Sequence, residues 1–216
     1  MKKKIFAMIP ARIGSTRLKM KNLALINGKP MIYYAIQAAK DSDIFDKIII
    51  NSDSEIFSEI AERYGVEFYL RPKRLGGSEI KSDDVVFDFI KQHNAEIVAW
   101  VNPISPLQAG IDIRNIVLHF QKNNFNSLIT VVERQAHCVY NQMPLNFELE
   151  GKFAQTQDLI PIQEMVYSIM MWDTSSYVKA MKINGSAILH GAICYHPINK
   201  LKSLIVKNHN DLMIVD

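Results

Sequence analysis

Four cations, Arg12, Arg17, Lys19 and Lys21, crowd into the stretch Ile9-Pro10-Ala11-Arg12-Ile13-Gly14-Ser15-Thr16-Arg17-Leu18-Lys19-Met20-Lys21-Asn22, directly after the apolar run Ile5 to Ile9. A buried strand that empties into such a loop gathers free backbone N–H groups and positive charge at one point, the arrangement that holds a polyphosphate. Gly14 and Ser15 lack bulk, so backbone can approach phosphate oxygens closely, and the arginines and lysines add charge-assisted donors. The segment reads as a seat for a nucleoside triphosphate. The plainer alternative is a solvated basic turn after an edge strand. The loop is neither a Walker A loop nor a dinucleotide fingerprint, because G-x-x-x-x-G-K-[ST] and G-x-G-x-x-G are both absent.

Other residue types narrow the chemistry by what they lack. The two cysteines, Cys138 and Cys194, are far apart and without metal-ligand spacing, and read as buried thiols in a reducing compartment. The six histidines, His93, His119, His137, His190, His196 and His209, show no H-x-x-x-H pattern and read as structural. Asp53, Asp83, Asp84 and Asp211 remain as acids for a metal, although Asp53 reads first as a turn or cap and Asp83 and Asp84 as helix-start residues. The formal net charge is only +3, with basic residues scattered, so no duplex nucleic-acid footprint is present. The basic start is followed by an apolar run too short for a signal peptide, and no segment reaches the roughly 20 apolar residues of a membrane span. A soluble, cytoplasmic protein is expected. A chain of 216 residues, 48% hydrophobic, is expected to form one domain.

The elements that must position the loop follow from periodicity. Strand-like runs at Ile5–Ile9, Lys47–Asn51, Val66–Tyr69 and Ala95–Val101 alternate with helical patterns at Pro30–Ala39, Ser54–Tyr64 and Asp83–Gln92. Pro30 reads as the first residue of its helix, Gly65 as a C-terminal cap and Ser82 as an N-cap. Successive βαβ units with right-handed crossovers predict a parallel sheet in which the carboxyl end of the fourth strand lies beside the first loop. The second half is less regular: a helix at Ile111–Lys122, strands at Ser127–Val132, Ile188–Ile193 and Ser203–Val206, and a last helical turn at Asn210–Ile214. Residues 136–163 read as an excursion from the sheet, either an exposed loop or an arm that packs on a second subunit.

These residues resemble the CTP-dependent cytidylyltransferases that activate acidic sugars: the acylneuraminate type, with pseudaminate and legionaminate relatives, and the Kdo transferases. Ile9 to Asn22 resembles that family's phosphate loop, and Asn27-Gly28-Lys29-Pro30-Met31-Ile32 its G-K-P-[LM]-I lead into the first helix. Asn51 to Ile56, followed by Tyr64-Gly65-Val66, resembles its second βαβ turn, Arg71-Pro72 with Ser82 its cytosine-side segment, and Val101 to Leu107 its L-Q-P-T-S-P-L strand end. The resemblance implies an α/β, Rossmann-like, three-layer nucleotide-diphospho-sugar transferase fold, with a mostly parallel central sheet and a small dimerisation excursion at 136–163. It implies transfer of CMP from CTP to the anomeric hydroxyl of a nonulosonic-type acidic sugar, with release of pyrophosphate, for surface glycan synthesis. Mg2+ is the implied cofactor and a homodimer the implied assembly. Ala11, Arg12, Gly14, Ser15, Thr16, Arg17 and Lys21 would contact the triphosphate, Asn22 the ribose side, Arg71 and Ser82 the cytosine or its sugar, and Asn102 the acceptor. Arg12, Lys21 and Asn102 would be the catalytic residues.

Departures from the pattern open a second reading. The acylneuraminate S-I-D-I-D-T motif is replaced by Ser203-Leu204-Ile205-Val206-Lys207-Asn208, so Ile205 and Lys207 stand where two metal carboxylates are expected, and Asp211 is the acid left nearby. The Kdo-type G-D-E-P acid is missing at Pro103-Ile104-Ser105-Pro106, and R-R-Q-D-L-P survives only as Gln155-Thr156-Gln157-Asp158-Leu159-Ile160, which removes bidentate partners for a sugar carboxylate. The alternative is therefore a catalytically silent or altered-acceptor relative that binds nucleotide as a regulatory or binding subunit.

Overall fold

The computed structural model describes residues 3–15 and 17–216. Its strands in chain order are β1 (Ile5–Ala11), β2 (Leu25–Ile26), β3 (Lys29–Pro30), β4 (Lys47–Ser52), β5 (Glu67–Leu70), β6 (Ile97–Val101), β7 (Ser127–Arg134), β8 (Val139–Tyr140), β9 (Met143–Pro144), β10 (Ile162–Asp173) and β11 (Ile193–Pro197). The helices are α1 (Met31–Asp41), α2 (Ile56–Tyr64), α3 (Ser82–Gln92), α4 (Gly110–Asn123), α5 (Thr174–Asn184) and α6 (His209–Val215).

Seven strands form one sheet in the order β11-β7-β10-β6-β1-β4-β5. β10 is antiparallel to both of its neighbours, and the other pairs are parallel, so the central sheet is mostly parallel, as expected. Side chains alternate across β1. Ile5, Ala7 and Ile9 join a core cluster with Ile32 and Ile36 of α1, Phe57 of α2, and Ile113 and Val117 of α4. Phe6 and Met8 point the other way, into a cluster with Val86 and Phe89 of α3 and Tyr177 of α5. Helices therefore cover both faces, which explains why β1 and β6 read as near-continuous apolar runs. Where α1 meets α4, a Cβ on Gly110 would sit 2.6 Å from the Asp41 carbonyl carbon, so the approach needs glycine.

Several local expectations need correction. Pro30 is not the first helical residue of α1: with ψ 140° it is extended, pairs with Leu25 in the small β2–β3 hairpin, and serves as the cap position. Ser82 is the first residue of α3 and Lys81 occupies the cap, with no side-chain hydrogen bond capping the helix. The strand expected at Ile188–Ile193 begins only at Ile193, because Gly191 takes φ +62° and breaks extended geometry. Residues 203–206 form no strand; their tie to the body is a Val206 N–H donated to Ile104 O at 2.8 Å. Helix α5 was not read from sequence: only Tyr177 and Ala180 are buried on it, which leaves little apolar stripe to detect. Among the described residues no helix is long and apolar enough to cross a membrane.

The excursion at 136–163 folds on itself. Asn141 and Gln142, at φ 48° and 65°, turn the β8–β9 hairpin. Asn146 accepts from Cys138 N and donates to Ala136 O and Ile160 O, closing the base, and His137 stacks on Phe153 with ring centroids 4.1 Å apart. The chain then returns through β10, whose pairing with β7 shifts register between Met165 and Met170. Thr130 Oγ1 fills the break: it lies 2.6 Å from Val166 O and 3.2 Å from Ile169 O, and accepts from Ile169 N at 3.2 Å.

Candidate functional site

Three parallel strands release the chain at one end of the sheet, and each release delivers a polar side chain. Arg12 follows β1, Arg71 follows β5 and Asn102 follows β6, and all three line one cavity of about 300 Å³. Ala11, Ser15, Lys21, Asn22 and Ser82 line it too, so eight of the expected positions converge at the carboxyl edge of the sheet. Gly14 and Arg17 are exposed beside it, and nothing lies within 4 Å of where a Gly14 Cβ would stand. Thr16 lies outside the described residues.

The loop is shaped by short-range bonds. Ser15 N–H donates to Ile13 O at 2.9 Å, and Met20, at φ 49°, reverses the chain so that Leu23 N–H reaches Met20 O at 2.7 Å. Buried Asn22 donates through Nδ2 to Arg12 O at 3.3 Å and ties the two ends of the loop together. Among the described residues the Arg12 side chain makes one long contact, Nη1 to Gly77 O at 3.5 Å.

Arg71 is built in. It is 4% exposed, donates to Asn51 O at 2.7 Å and pairs with Asp53 Oδ1 at 3.2 Å, while its Nε has no partner among the described residues. A Cβ on Gly76 would stand 2.1 Å from Asp53 Oδ2, so glycine there is what lets the 72–80 loop close over the ion pair. Asp53 is thereby spent on Arg71. Asp83 is spent as well, accepting from Ala187 N at 2.6 Å and Ile188 N at 3.1 Å.

Charge in the site is one-sided. The Lys21 ammonium is pushed below the usual lysine range by burial first, then by Arg17 and Arg12 and more weakly by Lys207, with Asp211 as the opposing charge. Arg71 is also lowered, chiefly by burial, with Asp53 opposing and Arg12 adding repulsion. Such a cluster costs free energy while empty and recovers it when an anion enters.

The Asn102 side of the cavity is polar but tightly engaged. Asn102 donates through Nδ2 to Tyr167 O at 2.8 Å, and its Oδ1 accepts from Ile104 N at 3.4 Å. Its backbone N–H reaches Ser168 O at 3.0 Å, and Ser105 Oγ and Ser168 Oγ are 2.9 Å apart. Asn102 thus finishes β6 and fastens it to β10, with one amide hydrogen remaining.

A resident Mg2+ does not fit the residues present. Among the described residues no carboxylate lines the cavity. Asp211 lies in a neighbouring cleft with Ile205 and Lys207, and its Oδ2 accepts from Lys207 N at 2.8 Å and Asn208 N at 3.0 Å as part of the α6 capping box. A hard cation needs oxygen ligands, which Ile205 and Lys207 cannot give.

Sequence reasoning missed Leu75, Gly77, Ser78, Ile80, Val85, Trp100 and Ile104, which with Pro10 of β1 complete the lining. Trp100 was hidden because it sits in an apolar strand and reads as core, yet its Nε1 has no partner among the described residues. The 75–80 lining carries few signals beyond its small residues.

Comparison with known proteins places this geometry. A family model described as Cytidylyltransferase matches residues 6–163. The N-acylneuraminate cytidylyltransferase of Escherichia coli is 39% identical over 126 residues, covering 56% of this chain and 29% of that protein. Its counterpart in Streptococcus agalactiae is 32% identical over 138 residues, covering 62% of this chain and 33% of that protein. The chain spans about a third of the length of these curated relatives. Among solved structures, 4-diphosphocytidyl-2C-methyl-D-erythritol synthase from Anaerococcus prevotii superposes with a TM-score of 0.69 at 14% identity, covering 99% of this chain and 96% of that one. CMP:2-keto-3-deoxy-manno-octonic acid synthetase complexed with CTP gives 0.67 at 15% identity, covering 83% and 78%. These two likenesses show a shared fold.

Proposed function

The chain belongs to the cytidylyltransferase family, and from that premise we propose that it transfers CMP from CTP to the anomeric hydroxyl of an acidic, nonulosonic-type sugar, releasing pyrophosphate. The observation that carries the reading is the convergence of Arg12, Lys21, Asn22, Arg71, Ser82 and Asn102 on one cavity at the carboxyl ends of β1, β5 and β6. The named relatives of Escherichia coli and Streptococcus agalactiae support the same substrate class.

Each side chain has a defined duty in that reaction. The sugar hydroxyl oxygen attacks the α-phosphorus, the bridging bond to pyrophosphate breaks, and negative charge spreads over phosphate oxygens, so the protein's work is alignment and charge stabilisation. Arg12, Lys21, the backbone amides of Ala11 and Gly14 and the side chain of Ser15 hold the triphosphate, with Arg17 exposed beside them; Thr16, expected to join them, lies outside the described residues. Their mutual repulsion in the empty site makes them stronger partners for an anion than isolated side chains would be. Asn22 fixes the loop on the ribose side. Arg71, anchored by Asp53, and Ser82, with no capping hydrogen bond of its own, face the cytidine. Asn102 positions the acceptor edge and offers its remaining amide hydrogen to the sugar. Mg2+ was expected on the resemblance, but among the described residues no carboxylate lines the cavity, so no step above is routed through it. Lys207, close enough to perturb Lys21, adds positive charge from the C-terminal side.

We also assign the excursion to a second copy of the chain. Val139, Tyr140, Met143, Phe153 and Ile160 are exposed on it, Ile160 by 78%. Light scattering is expected to give the mass of a dimer, and a monomer at micromolar concentration overturns the assignment. The two cysteines are unpaired, which suits a cytoplasmic location.

The test is pyrophosphate release with CTP and a panel of nonulosonic acids, with and without Mg2+. Release with one of them is the expected result. Tight CTP binding with no release for any sugar would make the protein a nucleotide-binding subunit, and no CTP binding would sink the site as a whole.

A further inference from the structure

Strand β11 is the sheet edge at the opposite end from β5, and β7 and β10 separate it from β6 and the nucleotide cavity. Residues two apart on a strand share a face, so Cys194 and His196 point the same way. That face is covered by α4, because Cys194 belongs to the core cluster that contains Ile116, Val117 and Phe120. His119 of α4 completes the group. Its ring centroid is 5.1 Å from that of His196, and a nitrogen from each ring and the Cys194 sulfur all lie within 4.8 Å of one another. Burial is graded across them: Cys194 is 7% exposed, His196 half-buried and His119 exposed, so the sulfur is rooted in the core while the histidine end opens to solvent.

We propose that His119, Cys194 and His196 form a Zn2+ site that fastens the edge strand β11 to α4. Two imidazole nitrogens and a thiolate are the donors this borderline-soft ion prefers. Tetrahedral Zn2+ keeps such ligand atoms roughly 3.5 Å apart, so closing the cluster takes about 1 Å of movement, within reach of an exposed histidine side chain. The fourth position belongs to water. On binding, the Cys194 S–H bond breaks, the sulfur pair forms the Zn–S bond, and the proton leaves to solvent.

The placement gives the ion a consequence. β11 is paired to the sheet through β7 alone, and the chain leaving it runs through 198–208 to Lys207 and Asp211. That stretch is docked on α4 and the turn before it by Lys202 to Asp112 Oδ2 at 2.5 Å and by Gln108 Nε2 to Lys202 O at 2.5 Å. An ion at the cluster fixes the upstream end of the same stretch.

The whole chain, stripped with a chelator, is titrated with Co2+ as a spectroscopic stand-in. One equivalent is expected to bind with thiolate-to-cobalt charge-transfer absorption that Zn2+ then displaces. Cys194→Ser is expected to abolish that absorption, His119→Ala to weaken binding by roughly tenfold or more, and Cys138→Ser to change nothing. Absence of the absorption in the native chain, or its survival in Cys194→Ser, overturns the site. A second readout does not depend on whether Cys194→Ser folds. Zn2+ is expected to slow amide exchange in β11 of the native chain by roughly tenfold and to lose that effect in His119→Ala; equal exchange with and without Zn2+ overturns the proposal.

Discussion

Replacing Arg12 with alanine separates binding from folding more cleanly than any other change at the site. In the protein without nucleotide, the Arg12 side chain contributes one hydrogen bond among the described residues, to Gly77 O at 3.5 Å, at the limit of a useful contact, so the fold should barely register its loss. Towards a triphosphate it is a charge-assisted donor, worth about 1.5 to 3 kcal/mol. Part of that is returned, because the Arg12 charge also depresses Lys21 and Arg71, and both hold their protons more firmly once it is gone. The net loss should fall near the lower end, about 1.5 to 2 kcal/mol, or roughly 10- to 30-fold in Kd. Calorimetry with CTP at low ionic strength measures it, with thermal unfolding as the control for fold. Arg12→Lys should lie between native and alanine, since it keeps the charge and loses the planar fork. A Kd for Arg12→Ala within about twofold of native, at unchanged Tm, would refute the placement of Arg12 on the phosphates.

Three further changes probe other parts of the argument. Ser82→Ala should leave stability within about 0.5 kcal/mol, because Ser82 is not the helix cap, yet weaken CTP by about 0.5 to 1.5 kcal/mol; a large drop in Tm with unchanged affinity would restore the capping role. Ile205→Asp with Lys207→Asp should make CTP affinity respond to Mg2+ by about tenfold or more, and a folded double variant with no such response would show that the C-terminal segment does not face the phosphates. His93 is lowered by burial, with Lys47 also lowering it and Glu67 and Asp88 opposing, and its Nε2 has no partner among the described residues, which include the packed rings of Phe6, Tyr69 and Phe89. The unfolded chain therefore binds that proton more readily, and stability falls as pH drops through the ordinary histidine value towards the lowered one; His93→Phe should flatten that acid limb in urea titrations and raise stability by about 1 kcal/mol, and an unchanged limb would exclude His93 as its source.

The first half of the chain was legible because its signals are local. Ile5 to Ile9, the stripe through Met31, Ile32, Ala35 and Ile36, and the cap at Gly65 each declare themselves within a few residues, and right-handed crossovers then bring Arg12, Arg71 and Asn102 to one end of the sheet. What stayed hidden depends on distant partners. Ser82 reads as a cap from its two following aspartates, but the backbone turns one residue earlier. β10 looks irregular because its register breaks beneath Thr130, and β11 starts late because Gly191 packs with its backbone against Asn126. His119 and His196 show no spacing rule, since a helix and an edge strand bring them together only in the folded chain.

The interruption in β10 also sets where mechanical load goes. Its outer ladder, Ile162 to Met165, belongs to the return from the hairpin, and its inner ladder, Met170 to Trp172, belongs to the core; between them the chain is gripped by Thr130. The same interval supplies Tyr167 O and Ser168 O, the two carbonyls to which Asn102 is tied. A tug on the hairpin therefore spends itself at the rim where an acceptor would sit, while the close-packed interior, resistant to small deformations, stays put.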